Sequence, residues 1–316
     1  MQLVWLKSFV TVVDRGGFVK AGLILHRAQS RVSADVASLE RELGADLLNR
    51  QTRPVALTAA GEAFLGHARD ILASLDVART EVAALNGAAY GVVRLGSMSS
   101  VASLVLPRLL DRFGRVHRAV AVEVVEVPTA SLADQLFTRS ADLALISLAH
   151  IERHPELMWT ELWRESLIVL VHPDHRLAAR GHVAIAELDG EEIITPGDGS
   201  GAGGISPDVE HLLQAARVRP SSSRLVASPS TLAAMVRANL GVGVMGALGV
   251  ALVGQDGLVA LPVLDEHAKR RVVVARLRNL KPSAAVLELE QFISETDYRD
   301  YKLPLITSGP TDATVN

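Results

Sequence analysis

Two amphipathic segments near the N-terminus restrict the fold of this chain more than any other feature. They cover residues 18–26 and 29–43, so that only about two residues separate them. Two helices joined by so short a connection cannot pack antiparallel and must meet at a sharp turn. The spacing therefore predicts a helix-turn-helix.

The second segment indicates which of its faces is free. Its apolar residues recur at spacings of four, three and four and predict one buried face: Val32, Val36, Leu39 and Leu43. The first residues of the segment fall outside this face: Gln29, Ser30, Arg31, Ser33 and Ala34. In a DNA major groove, Gln can pair with an adenine edge, and Ser can bond a base or a phosphate. The alternative is a solvated face on an ordinary helical bundle.

A two-stranded wing is predicted after Gly44. Residues 47–50 and 55–57 are short apolar or alternating pieces, and the polar tip between them carries Arg50 and Arg53. Wing arginines commonly meet phosphates or the minor groove. Residues 1–60 hold eight Lys or Arg against five Asp or Glu, a net charge of +3, although the whole chain carries −3. The charge pattern thus predicts a local and modest basic surface.

In order and spacing, these residues resemble the winged helix-turn-helix of the LysR-type transcriptional regulators. The matching positions are Leu6, Phe9 and Val13, then Gly17, Phe18, Ala21 and Leu25, then Gln29, Val32, Ser33, Val36, Leu39, Glu40, Leu43 and Gly44, then Leu47, Leu48, Arg50, Leu57, Thr58 and Gly61. Two positions depart from the motif. Ala28 replaces the usual Ser, which removes a helix N-cap at a cost of about 0.5–2 kcal/mol, and Gly22 replaces the usual second Ala.

A long helix is predicted to follow the wing, with Thr58 as its cap and Asn86-Gly87 at its end. Residues 61–87 carry an apolar stripe in a three-four alternation, which includes Leu65, Leu72 and Leu75. So broad a stripe needs a partner. The stripe can pack on its own domain, whereas in the resembled family this helix is the dimer linker.

From residue 91 the pattern changes to short apolar runs that alternate with helical stretches, which predicts an α/β domain over residues 91–295. This region resembles the LysR effector-binding domain, a two-lobed α/β fold of the type 2 periplasmic-binding-protein class. The resemblance implies a first lobe of residues 91–164 and 266–295 and a second of 165–265. The polar tail, residues 301–316, is predicted to be mobile.

Small hydroxyls and glycines stand where strand ends should meet helix N-termini in the two lobes. The candidate effector residues are Ser97, Ser99, Ser100, Thr129, Ser200 and Gly201. Helix N-termini favour anions, and ligands of open α/β sheets bind at strand ends. A small carboxylate or another anionic metabolite is therefore expected, although no Arg or Lys is visibly committed to the cleft. These residues can alternatively be plain helix caps.

Several other chemistries are disfavoured. The chain has no cysteine, which removes disulfides, thiol redox switches and thiolate metal sites. A G-x-G-x-x-G match at residues 241–246 follows a helical pattern, whereas the dinucleotide motif follows a strand. Ser200 lacks the flanking glycines of a nucleophile elbow, and the pairs His150/His154 and His172/His175 are interpreted as turn histidines. No catalytic residue, metal ligand or cofactor is predicted.

The sequence as a whole predicts a multidomain transcriptional regulator: a winged helix-turn-helix at 1–60, a dimer helix at 61–87 and an effector domain at 91–295. Its expected partners are an inverted-repeat site in double-stranded DNA, a small-molecule effector and a second copy of the chain, with a homotetramer implied by the resemblance. No apolar run approaches about 18 residues, so a cytoplasmic location is expected. The alternatives are a two-lobed small-molecule-binding protein or enzyme with an accessory helical N-terminus, and a nucleoid-type DNA binder without an effector.

Overall fold

The computed structural model describes residues 1–52, 54–84, 91–197, 204–265, 267–301 and 306–307. It divides into two compact units, Met1–Ala88 and Ala89–Asn316. Three predicted site residues, Arg53, Ser200 and Gly201, lie outside the described residues, as do most of the predicted tail and the end of the predicted long helix. No helix of the described ranges is both long and apolar enough to cross a membrane.

The first unit is helical apart from a two-stranded sheet. Its elements are α1 (Leu3–Arg15), α2 (Phe18–Ile24), α3 (Gln29–Leu43), β1 (Leu48–Asn49), β2 (Ala56–Leu57) and α4 (Ala59–Ala84). The two strands pair antiparallel, with Leu48 opposite Leu57. The predicted helix-turn-helix and wing are therefore confirmed.

The inner face of α3 packs mostly as its periodicity predicts. Val32, Val36 and Leu39 are fully buried, and no side chain caps the helix at Ala28. The prediction that Leu43 is buried is wrong, since this residue is 40% exposed. Leu43 is the last residue of α3, where the chain turns away through Gly44 with φ of +69°.

Helix α4 begins as predicted, because the Thr58 hydroxyl accepts a hydrogen bond of 3.0 Å from the backbone N–H of Gly61. A Cβ on Gly61 would lie 2.0 Å from the carbonyl oxygen of Leu47. The start of α4 therefore rests directly on the chain that leads into the wing, and only glycine fits at this contact.

The second unit alternates strands and helices. Its elements are β3 (Gly91–Ser97), α5 (Ser99–Leu104), α6 (Leu106–Val116), β4 (Val120–Glu126), α7 (Leu132–Phe137), β5 (Leu143–Ser147), β6 (Leu157–Val171), β7 (Glu192–Pro196), α8 (Pro207–Ala215), β8 (Ser222–Val226), α9 (Pro229–Arg237), β9 (Val242–Gly246), α10 (Ala247–Val253), β10 (Val259–Pro262), β11 (Lys269–Leu277), α11 (Ala284–Glu295) and β12 (Ile306–Thr307). The predicted α/β pattern is confirmed.

Two lobes share the long strand β6. In the first lobe the strand order is β4-β3-β5-β11-β6, and in the second it is β6-β9-β7-β8, with β10 on the other side of β6. Strand β6 changes partners between Ser166, which lies opposite Lys269 of β11, and Leu167, which lies opposite Gly246 of β9. β6 therefore runs without a break from one lobe into the other.

Two helical regions of the second unit are irregular. Helices α5 and α6 are separated at Val105, because Pro107 in the first turn of α6 has no N–H to bond the preceding turn. Helix α10 was not predicted, since its seven residues are almost all apolar and show no helical period. Leu248 of α10 packs in the core of the first lobe, although the strand before it belongs to the second.

Candidate functional site

The exposed start of α3 is the first candidate site. Gln29, Ser30 and Arg31 are exposed there, and Ser33 is half-buried one turn later. The Arg31 side chain is 70% exposed. The Ala28 carbonyl accepts the N–H groups of Arg31 and Val32, at 2.9 and 3.2 Å. No side chain caps this end of the helix, which is the positive end of the helix dipole. Such a surface can contact base edges and phosphates together.

The turn that precedes α3 is closely packed against α2. The backbone N–H of Arg27 donates a hydrogen bond of 2.9 Å to the carbonyl oxygen of Gly22. His26 has φ of +52°, in the left-handed region. A Cβ on Gly22 would lie 2.8 Å from the Arg27 carbonyl oxygen, so the glycine that departs from the family motif permits this close approach.

A buried carboxylate joins that turn to the first and third helices. Asp35 lies on the inner side of α3 and accepts a hydrogen bond of 2.7 Å from the Ser8 hydroxyl of α1. The same carboxylate oxygen is paired with the guanidinium of Arg27. A charged hydrogen-bonded contact between buried groups holds three elements in one arrangement. The sequence analysis missed this cluster, since Arg27 and Asp35 share no helical spacing across the turn.

The wing arginine that the structure describes has a partner within its own domain. Arg50 Nη2 lies 2.7 Å from Glu40 Oε2, and its guanidinium lies 5.5 Å from the ring centre of Phe18. The other Glu40 oxygen accepts the N–H groups of Leu47 and Leu48, at 3.0 and 3.2 Å. Arg50 is therefore ion-paired with a buried acid although its side chain is 44% exposed, and its role as a phosphate contact stays a prediction.

The second candidate site is a cleft between the two lobes. It has about 380 Å³ of space between protein atoms, part of it open to solvent, and its lining residues are Met98, Ser99, Ser100, Val127, Pro128, Thr129, Pro196, Gly197, Ala227, Pro229, Met245, Gly246, Gly249 and Arg270. Three predicted effector residues, Ser99, Ser100 and Thr129, therefore meet at one cleft. Ser97 does not line it: this residue is fully buried at the end of β3, and its hydroxyl donates to the Met98 carbonyl oxygen at 3.2 Å.

Arg270 is the charged residue that the sequence analysis did not find in this cleft. Its Nε lies 2.8 Å from Glu165 Oε1, and Nη2 contacts the same oxygen. The other Glu165 oxygen accepts the N–H of Leu248 at 2.7 Å. Burial alone would lower the pKa of Arg270, but the charges of Glu165 and Asp208 outweigh it and raise that pKa above its ordinary value. A Cβ on Gly246 would lie 2.6 Å from Nη2, so glycine makes room for the guanidinium.

Asp208 connects the two lobes beside Arg270. It lies in the first turn of α8, and one of its carboxylate oxygens accepts a hydrogen bond of 2.5 Å from Ser147 at the end of β5. His150 Nδ1 lies 3.9 Å from the other oxygen. Burial lowers the pKa of His150, while the Asp208 charge acts in the opposite direction and the Arg270 charge lowers it further. His150 therefore lies in a turn, the 3-10 helix Leu148–His150, as interpreted from sequence, but its side chain is buried at the lobe junction, where burial lowers its pKa.

The candidate dimer residues are partly committed to their own domain. Leu65 and Leu72 of α4 are half-buried against the core formed by α1, α3 and the wing. Leu75 is also half-buried but is not one of the residues packed on that core. Leu65 and Leu72 therefore pack on their own domain, as in the alternative considered from sequence. Leu75 is the one of the three predicted dimer residues that does not pack on this core.

The remaining motifs serve packing. Gly241 precedes β9, Gly243 lies within it, and Gly246 is both its last residue and the N-cap of α10. A Cβ on Gly243 would lie 2.5 Å from the Leu232 side chain, so this glycine permits close packing of β9 against α9. His172 and His175 each accept a backbone N–H two residues ahead, at 3.2 and 3.3 Å. Within the described part of the chain, no group of three or more His, Asp or Glu side chains is arranged to hold a metal ion.

Comparison with known proteins matches both units to one family. Residues 3–62 match a model described as a bacterial regulatory helix-turn-helix protein of the lysR family, and residues 86–297 match the LysR substrate binding domain. The transcriptional regulator ShiR of Corynebacterium glutamicum is 32% identical over 279 residues, which cover 88% of this chain and 93% of that protein.

Solved structures share the fold. A full-length OxyR variant from Pseudomonas aeruginosa has a TM-score of 0.68 at 22% identity and covers 93% of this chain and 94% of its own. Full-length CbnR in complex with its target DNA has a TM-score of 0.63 at 21% identity, over 93% of this chain and 99% of its own.

The chain belongs to the LysR family of transcriptional regulators. It is a DNA-binding transcriptional regulator whose activity a small-molecule effector modulates. The relatives that it matches are transcriptional regulators.

Proposed function

We propose that residues 1–60 read DNA with α3 and the wing, that residues 61–87 pair two copies of the chain, and that residues 91–295 hold the effector between their lobes. The observation that carries the DNA-binding part is the exposed start of α3, where Gln29, Ser30 and Arg31 face solvent. Ser33, Arg50 and Arg53 complete the proposed DNA contacts. A homodimer presents two such helices to an inverted-repeat promoter site, and the homotetramer of the resembled family is the proposed full assembly.

The proposed effector is a small anion held in the inter-lobe cleft. Among the described lining residues, Arg270 is the one with a formal charge. Only its Nε and Nη2 contact Glu165, so guanidinium donors remain for a carboxylate. Ser99, Ser100 and Thr129 add hydroxyl groups, and Ser200 and Gly201 remain candidates from the sequence. Closure of the lobes on the anion then changes the placement of the DNA-binding units.

The protein is further proposed to act without catalysis and in the cytoplasm. Its relatives are regulators rather than enzymes, and the chromosomal promoters that such a regulator reads lie in that compartment. The two-lobed enzyme with an accessory N-terminus, considered from sequence, is disfavoured because the N-terminal 60 residues match a DNA-binding family on their own.

The DNA-binding roles are tested with a site selected from random duplexes by the full chain. Gln29→Ala should reduce the difference in binding free energy between that site and random DNA by about 1–3 kcal/mol, because it removes a base contact. Arg53→Ala should weaken both DNAs alike and reduce the slope of log K against log salt by about 0.9, because it removes a phosphate contact. Gln214→Ala, on the exposed face of α8, is the control. Identical behaviour of the Gln29 and Arg53 variants across salt and sequence would contradict the proposed roles.

A further inference from the structure

We propose that Asp35 is a positioning residue that holds Arg27 away from DNA and so keeps affinity for arbitrary sequences low. The inference rests on the proposed use of the α3 start as the DNA-reading surface. Arg27 stands two residues before Gln29, the first residue of α3. In helix-turn-helix proteins the start of the second helix enters the groove. A free guanidinium at residue 27 is therefore within reach of the phosphate backbone.

The two arginines that flank the start of α3 differ in their surroundings. The Arg27 side chain is 26% exposed and is ion-paired with Asp35, whereas the Arg31 side chain is 70% exposed. Arg31 Nε lies 4.0 Å from the second Asp35 oxygen, at the limit of an ion pair. Arg31 is thus free to bind a phosphate or a base, while Arg27 is withheld by a carboxylate that faces the domain interior.

Several contacts keep the Asp35 carboxylate in place. Its side chain is 4% exposed, and the Ser8 hydroxyl binds the oxygen that also holds Arg27. The Arg27 backbone is fixed as well, through its hydrogen bond to Gly22. A buried acid cannot follow its arginine towards DNA, so a phosphate must break the pair and leave Asp35 uncompensated in the interior. This cost applies to every DNA sequence.

The consequence for recognition follows from the origin of non-specific affinity. Binding to arbitrary DNA comes essentially from phosphate neutralisation, and each contact adds about 0.9 to the slope of log K against log salt. An arginine withheld from phosphates therefore lowers binding to random DNA without removing any base contact. The side chains that can carry sequence information, Gln29, Ser30 and Arg31, stay exposed.

The principal test is Asp35→Asn in the full chain, with a random-sequence duplex titrated by fluorescence anisotropy over a salt series. The asparagine keeps the size of the side chain and its acceptor for Ser8 but releases Arg27. We expect random DNA to bind more tightly, with a slope steeper by about 0.9. Circular dichroism verifies that the variant is folded. A folded variant with the wild-type slope overturns the proposal.

Glu42→Gln is the matched control. Glu42 lies on the same helix and loses the same charge, but it is exposed near the far end of α3, paired with the N-terminal ammonium group. The slope of log K against log salt for Glu42→Gln should equal that of the wild type. An increase equal to that of Asp35→Asn would show a general effect of net charge and would overturn the specific role of Asp35. Asp35→Glu keeps the carboxylate that pairs with Arg27, so its slope should lie between those of the wild type and Asp35→Asn.

A second variant keeps the test decisive if Asp35→Asn does not fold. Arg27→Gln removes the withheld side chain, so the proposal expects an unchanged slope with random DNA. A slope reduced by about 0.9 would show that Arg27 already binds a phosphate, and the proposal would fail. The proposed DNA-reading surface fails separately, since its own readout is the effect of Gln29→Ala on sequence discrimination.

Discussion

The hydroxyl of Ser147 in the first lobe donates a hydrogen bond of 2.5 Å to Asp208 in the second, across 61 residues of sequence. Asp208 is also close enough to Arg270 to raise the pKa of that guanidinium, against the opposing effect of burial. Since Arg270 lines the cleft, the polar contacts that join the lobes and the charge available to an effector belong to one cluster.

Ser147→Ala should lower the stability of the effector domain. The substitution leaves one Asp208 oxygen without its donor in a site that is only slightly exposed, at a cost of about 1–3 kcal/mol. The midpoint of urea unfolding of the full chain measures the loss. Ser97→Ala is the matched control, because the buried Ser97 hydroxyl bonds only the neighbouring backbone carbonyl and its loss should cost less. Equal losses in both variants would argue against a contribution from the inter-lobe bond.

The buried His150 should make the protein less stable in acid. Burial lowers its pKa from the ordinary 6.5, with Arg270 acting in the same direction and Asp208 against it. Below the unfolded pKa the unfolded chain therefore binds a proton that the folded chain resists, so stability is retained above about pH 6.5 and falls as pH decreases. His150→Asn should flatten this decrease in melting temperature between about pH 7 and about pH 5.

The control for that profile is His182→Asn, which removes an exposed histidine. Glu165 pairs with Arg270, and the Arg270 charge acts on His150. Neither histidine variant changes Glu165, so this ion pair is the same in both. A His150→Asn profile with the same acid slope as the wild type would contradict the assignment of His150 as the responsible group.

The local elements of the DNA-binding unit could be predicted closely from sequence. Residues 29–43 were predicted as the second helix and form α3, because the apolar spacing and the terminal Gly44 both act within a few residues. The Thr58 cap is equally local. Even here the partners of the charged residues were missed. Arg50 finds Glu40 ten residues earlier across a turn, and no periodicity connects them.

The effector cleft could be predicted only in outline. Ser99, Ser100 and Thr129 follow strand ends, a position that fold class alone suggests. Arg270 and Glu165 are 105 residues apart, and their pairing arises from the antiparallel register of β11 on β6. The family resemblance put the lobe boundaries at 164–165 and 265–266, close to these two residues, but carried no signal for that register. The two lobes were thus implied by the resemblance, whereas the charge in the cleft required the structure.

Leu75→Glu should dissociate the proposed dimer. Of the three proposed dimer residues, Leu75 is the one that does not pack on the N-terminal core. A charge there faces the proposed symmetry mate, where burial without a partner is costly. Leu72→Glu, the variant that sequence alone suggests, also disturbs the N-terminal core. Ser74→Glu adds the same charge at an exposed neighbour and should leave the dimer intact. Sedimentation that shows an unchanged dimer for Leu75→Glu would place the interface elsewhere.

Gly22→Ala should destabilise the helix-turn-helix although alanine is the better helix former. The added Cβ would approach the Arg27 carbonyl oxygen to 2.8 Å and the Gln29 nitrogen to 3.4 Å, which forces a backbone shift and costs about 1–3 kcal/mol. Gly66→Ala in α4 is the matched control, because nothing lies within 4 Å of its added Cβ. That variant should gain about 0.5–1 kcal/mol. Thermal unfolding that ranks the two variants in the opposite order would refute the close contact.

The effector site is tested with a small carboxylate that changes binding of the full chain to its selected DNA site. Ser99→Ala and Thr129→Val should each weaken binding of that carboxylate by about 10- to 150-fold in calorimetry. Each removes a hydroxyl at the cleft, and a hydrogen bond to a charged group contributes about 1.5–3 kcal/mol. Ser97→Ala removes a hydroxyl that lies in the same stretch but outside the cleft, and its affinity should match the wild type. If the Ser99 and Thr129 variants bind the carboxylate as tightly as the Ser97 variant does, the effector binds outside this cleft.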